Sequence, residues 1–182
     1  MAQDCVEIVR WLGETRGFWI QTGAFVLSAL GAIAIIYNSS HQAKKRATID
    51  LALHELSDPK LIEAKAQVKK YHDSKINFTE LSCGDYNAKP ENSYILTVLN
   101  SYEFVASGIK EGAFHEEIYK RMKRSIIVRD WDAFSTYIYE RRKCMNRDKL
   151  FIEFEWLAKR WVNSEIQPEV HWWRRLISRL GL

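Results

Sequence analysis

The chain has 182 residues, 47% of them hydrophobic and 27% charged, which suits one folded domain plus an anchor and excludes a disordered chain. Its formal net charge of +4 is smaller than a nucleic-acid-binding domain usually carries. Nucleic acid is therefore not an expected partner, and anionic lipid is an equally good sink for the excess.

Only 8 Gly and 3 Pro are present, so chain breakers are scarce and long helices are favoured. Residues 1–17 form a short N-terminal segment. From Phe18 to Tyr37 the chain reads FWIQTGAFVLSALGAIAIIY, without a charged residue. About twenty helical residues span about 30 Å, the thickness of a bilayer's hydrocarbon core. Trp19 and Tyr37 stand at the two ends, where amphipathic rings favour the membrane interface. The run is longer than the core of a cleaved signal peptide, so an uncleaved single-pass anchor is expected.

Lys44, Lys45 and Arg46 follow the span, against Arg10 and Arg16 before it. The positive-inside rule then places the N-terminus outside and the soluble domain in the cytoplasm. Gln21, Ala24, Ser28 and Ala32 share one helical face. Small residues four apart let helix backbones approach closely in lipid, which points to self-association.

The anchor is read as continuing in a juxtamembrane helix, residues 38–56, with Ile49, Leu53 and Leu56 on one stripe. Asp58 is a good N-cap and Pro59 a good first helical residue for a helix through about Tyr71. Residues 72–90 read as a loop rich in turn formers, the place where variation is easiest. Ser93–Ile109 is the most apolar soluble segment, and Leu96 and Phe104 off its main stripe predict cover on most sides. Phe114, Ile118, Met122 and Ile126 carry a further helix. Asp130 reads as the cap of another, with Trp131, Phe134 and Ile138 facing inward. A last helix, about Asp148 to Val162, closes a soluble domain of residues 57–165. The fold class is all-α: one N-terminal transmembrane helix followed by a compact helical domain.

The tail, residues 166–182, sets Trp172, Trp173, Arg174 and Arg175 beside an apolar stripe. Such a helix suits the lipid interface, and a final packing helix is the alternative.

No phosphate-binding loop, GxSxG elbow or dinucleotide fingerprint is present. His115-Glu116-Glu117 starts like a zinc-protease signature, but Tyr119 stands where the second His is required. Cys5, Cys83 and Cys144 show no metal-ligand or disulfide spacing, and a reducing compartment is the simpler reading. No metal or cofactor and no enzymatic activity are expected. Two constellations remain as a candidate ligand site. Glu103 interrupts the most apolar soluble helix and must be paired, protonated or at its wet edge. Arg129-Asp130-Trp131 sets a charged pair ahead of an aromatic. Arg129 or Arg124 is a candidate ion-pair partner of Glu103, and an anion on the basic helix face is the associated possibility.

The stretch NSYEFVASGIKEGAFHEEIYKRMKRSIIVRDWDAF, with KKRATIDL after the span and FIEFEWLAKRW near the end, resembles a bacterial and phage family, domain-of-unknown-function family 4760. The resemblance covers roughly residues 40 to 162. It implies a small helical protein of bacterial or prophage setting, anchored in a bacterial inner membrane, and names no substrate. The expected function is a non-enzymatic interaction or sensor module whose partners are membrane lipid and a second copy or another protein. The alternative is a ligand-gated, membrane-perturbing effector, for instance in phage defence, with an anion-binding domain.

Overall fold

The computed structural model describes residues 10–11, 14–74, 76–84 and 89–164. The chain divides into two units, residues 1–43 and 44–182.

In the first unit, strands β1 (Arg10–Trp11) and β2 (Glu14–Thr15) form a two-residue antiparallel ladder, Arg10 opposite Thr15. Helix α1 begins at Arg16 and ends at Ser57. Its apolar run is exposed throughout, Ile20 at 73% and Leu27 at 71%. Among the described residues this is the one helix long and apolar enough to cross a membrane. So much uncovered apolar side chain is unfavourable in water and favourable in lipid.

The second unit is built from the end of α1 with α2 (Pro59–Asp73), α3 (Pro90–Lys110), α4 (Glu116–Met145) and α5 (Ile152–Val162). α3 packs between α2 and α5, and α4 packs on α5 and on a 3-10 turn at Phe78–Leu81. Asp58 caps α2 as its sequence requires, accepting from the backbone N–H of Lys60 at 2.9 Å and of Leu61 at 3.4 Å. Ala64 and Val68 of α2 share one core cluster with Ile95, Val98, Leu99 and Val105 of α3, the last four with no exposed surface, and Leu61 is buried on the same helix as Ala64. Phe134, Ile138, Phe154, Leu157 and Trp161 complete the core from α4 and α5. At Gly108 the Phe114 ring lies directly on the α3 backbone: a Cβ there would lie 2.2 Å from it.

Several expectations change. The two helices read around Asp130 are one, because nothing between Ile126 and Trp131 breaks a helix. The Asp130 carboxylate is held by side chains instead of capping. The apolar stripe at Ile49, Leu53 and Leu56 is exposed at 48%, 59% and 67%, and α1 docks through Thr48, Ala52 and Glu55 on its other side. Thr48 accepts the His115 backbone N–H at 2.7 Å, so a hydroxyl takes the place of an aliphatic contact. Phe104 is 61% exposed and touches Phe114 edge-on, so α3 is not covered on that side.

The segment after α2 is not a free loop. Phe78 and Leu81 are buried, and Arg141, 5% exposed, donates to the Ser82 carbonyl at 3.3 Å. Cys83 and Cys144 form a disulfide with Cα atoms 5.8 Å apart, inside the usual range for such bridges. This corrects the expectation of unpaired cysteines, since 61 residues of separation hide a contact that only the fold makes.

An acid-sensitive clasp ties α4 to α5. Arg142 donates to the Leu150 carbonyl at 2.8 Å and to Glu155 at 2.6 Å, and Lys159 also reaches Glu155. Burial pushes the Glu155 carboxyl up, but hydrogen bonds from Lys159, Arg142 and Tyr139 outweigh it and hold the pKa at about 2. A depressed folded-state pKa means the stabilisation is complete above the ordinary value of 4.5 and is lost as pH falls towards about 2. The thermal midpoint is therefore expected to drop on acidification below about pH 4.5, and Glu155→Gln to flatten that limb; equal slopes in both proteins would refute the clasp.

Candidate functional site

A cavity of about 430 Å³ opens between α2, α3 and α4. The volume lies within the usual range for small-molecule sites, roughly 300 to 1,000 Å³. Val68, Val98, Phe78 and Phe134 are buried core side chains that form its floor, and Ile126 and Ala133 line it from α4. Lys65, Lys69 and His72 reach it from α2 at steps of four and three, and Arg129 and Asp130 from α4.

A relay runs from the core to its mouth. The Tyr102 hydroxyl, on a residue only 2% exposed, donates to Asp130 Oδ2 at 2.6 Å. Asp130 Oδ1 accepts from Arg129 Nε at 3.0 Å and Nη2 at 2.8 Å. Burial first, then the Asp130 charge, pushes the Tyr102 phenol above its ordinary value, which keeps it a neutral donor. The Arg129 side chain is 67% exposed, yet this chain of bonds fixes its plane. Lys65 sits 5.9 Å from the centroid of the Tyr102 ring and 3.3 Å from Glu55. Lys69 makes no ion pair among the described residues, and Asp73 stands exposed at the same mouth.

Beside the cavity lies a buried charge cluster. Glu55, 4% exposed, accepts the Tyr119 hydroxyl at 2.6 Å and pairs with Lys123 at 3.1 Å as well as with Lys65. Burial raises its pKa, but the Tyr119 hydroxyl and the two ammonium groups prevail, and the net shift is downward.

Of the residues singled out in the sequence, Arg129 and its neighbour Asp130 line the cavity, whereas Glu103, Arg124 and Trp131 do not. Glu103 accepts the backbone N–H of Phe154 at 2.8 Å and of Glu153 at 3.3 Å, at the N-terminus of α5. Burial pushes its carboxyl up, partly offset by those two bonds. Arg124 donates to the carbonyls of Trp161 at 3.1 Å and Val162 at 3.5 Å, at the C-terminus of the same helix. The pair thus caps both ends of α5, acid at the positive end and base at the negative end of its dipole. Neither meets the other. Trp131 is a core residue, edge-on to Phe154 at 5.5 Å and to Tyr139 at 6.1 Å.

Reading the sequence missed Lys65, Lys69 and Tyr102. The signal was available in α2, where Lys65, Lys69 and His72 recur at helical spacing next to Val68. In the first unit, Trp19 and Tyr37 are exposed at 43% and 77%, and Gln21, Ala24, Ser28 and Ala32 are exposed along α1. Trp172, Trp173, Arg174 and Arg175 lie outside the described residues.

A family model described as "Domain of unknown function (DUF4760)" matches residues 19–161. The match starts inside the apolar run of α1, earlier than residue 40, where the resemblance read from the sequence begins, and it ends in α5. No curated protein and no solved structure matches the chain.

Proposed function

The chain belongs to the DUF4760 family, and on that premise we propose that it is a membrane-anchored, non-enzymatic sensor module of bacterial or prophage origin. α1 crosses the inner membrane once, the helical domain faces the cytoplasm, and the cavity between α2, α3 and α4 is the sensing site. Copies associate through the face of α1 that carries Gln21, Ala24, Ser28 and Ala32. The observation that carries the reading is the uncovered apolar run of α1, which the family match includes.

The exposed small-residue face also favours a second reading, in which ligand binding rearranges the associated spans and perturbs the bilayer. At Gly31, beside that face, even an added Cβ would meet nothing within 4 Å, so this side of α1 is open to a second helix.

One measurement addresses both. Full-length protein should resist alkaline carbonate extraction from membranes and give a discrete oligomer in native mass spectra in mild detergent. Ser28→Leu with Ala32→Leu should shift that oligomer to monomer. Growth arrest on overproduction that those substitutions relieve would select the effector over the passive sensor. Release of the wild-type chain by carbonate would overturn the anchor itself.

A further inference from the structure

We propose that the cavity between α2, α3 and α4 binds a phosphate monoester carried on a compact apolar body. The proposal rests on the sensor reading of the domain and names its ligand. Three features of the site carry it.

The first is the cost of the relay. A buried phenol and a carboxylate with 14% side-chain exposure are both committed to holding one exposed guanidinium at the cavity mouth. Fixing a surface arginine adds little to stability, because exposed ion pairs are screened by water and cost side-chain entropy to hold. A guanidinium held in one plane does reduce the ordering cost of binding an oxyanion. Only two of its nitrogens, Nε and Nη2, are engaged by Asp130, and Nη1 and the second Nη2 hydrogen remain as donors.

The second is charge. Lys69 is uncommitted, and Lys65 shares Glu55 with Lys123. Asp130 already accepts one hydrogen bond from Tyr102 and two from Arg129, and Asp73 is the other carboxylate at the mouth. A fork-shaped donor beside a mobile ammonium is the pairing that suits a tetrahedral oxyanion.

The third is the floor. Val68, Val98, Phe134 and Ile126 offer nothing to a hydrated inorganic anion, but they bury an aromatic or aliphatic body of matching size. Both halves of the ligand are therefore required.

The same chemistry is found in a soluble nucleoside monophosphate and in a single-chain phospholipid, and the experiment separates them. Full-length protein in nanodiscs is titrated calorimetrically with 2-naphthyl phosphate, 2-naphthol and inorganic phosphate, against empty nanodiscs. Naphthyl phosphate should bind at least about tenfold more tightly than either part alone, as expected for losing one charged hydrogen-bond set or the apolar body. Lys69→Glu, a surface change, should weaken it by about tenfold or more, and Ile126→Trp should fill the cavity and remove it. Displacement by adenosine monophosphate assigns a soluble ligand, and displacement by lysophosphatidate a membrane one. Absence of naphthyl phosphate binding, or binding indifferent to Lys69→Glu in a protein with unchanged circular dichroism, overturns the proposal. If the protein then still resists carbonate extraction, the anchor stands and only the ligand assignment falls.

Discussion

Replacing Cys144 by Ser, or reducing the bridge, is expected to destabilise the helical domain by about 4 kcal/mol, because the Cys83–Cys144 link closes a loop of 61 residues. Most of that effect lies in the unfolded chain, which regains the conformations the bridge denies it. The check is thermal unfolding of the full chain with and without reductant, with Cys144→Ser as the control that reductant should no longer affect. A difference under about 1 kcal/mol would mean that Arg141, Phe78 and Leu81 alone hold the segment. The bridge also bears on orientation. Cys144 is exposed and open to reductants, so in the proposed cytoplasmic setting its thiol should be alkylated in intact growing cells and protected after oxidation. Thiols protected throughout growth would place the domain on the oxidising face and reverse the orientation. Because Phe78 lies five residues before Cys83 and forms part of the cavity floor, opening the bridge should loosen a wall of that cavity.

Glu55→Ala should cost about 3 kcal/mol, since it strips one carboxylate from a buried Tyr119 hydroxyl and two ammonium groups at once. Lys65 and Lys123 can turn partly to water, with 30% and 15% of their side chains exposed, but the phenol cannot. Glu55→Gln keeps an acceptor for Tyr119 and removes only the charge, so it should recover roughly half of the loss. Urea unfolding of the three proteins at pH 7 gives the comparison. A Glu55→Ala protein as stable as the parent would show that desolvation already cancels the attraction. The sign with pH follows from the lowered pKa: the stabilisation is present above the ordinary carboxylate value and fades below it.

The all-α architecture, the apolar first helix and the Asp58-Pro59 restart were legible because each is a local signal. A charge-free run, a cap and a 3.6-residue rhythm need no knowledge of the rest of the chain. The break read at Asp130 failed for the same reason. An aspartate before an aromatic looks like a cap until Tyr102, twenty-eight positions earlier, takes its oxygen. The exposed stripe on α1 shows the limit of apolar patterning. Thr48 and Glu55 dock that helix through hydrogen bonds, which leave no hydrophobic period to read. The candidate site was legible in part. Arg129 stood out as half of a charged pair, whereas its companions on α2 look like an ordinary solvated face. Glu103 and Arg124 carried a real signal, an acid in an apolar helix and a base on another, but their shared target was a backbone.

That target gives α5 a peculiar inheritance. Eleven residues are too few to hold a helix in water, and Phe151, where it starts, offers no side-chain cap. The information that ends the helix where it does is written elsewhere in the chain, 51 positions upstream at Glu103 and 37 upstream at Arg124. Substitutions at exposed positions of α5 such as Ile152 should change little, whereas loss of either distant side chain removes a cap that Phe151 does not supply. Either end of this short helix can thus be undone by a substitution on another helix, with the sequence of α5 untouched.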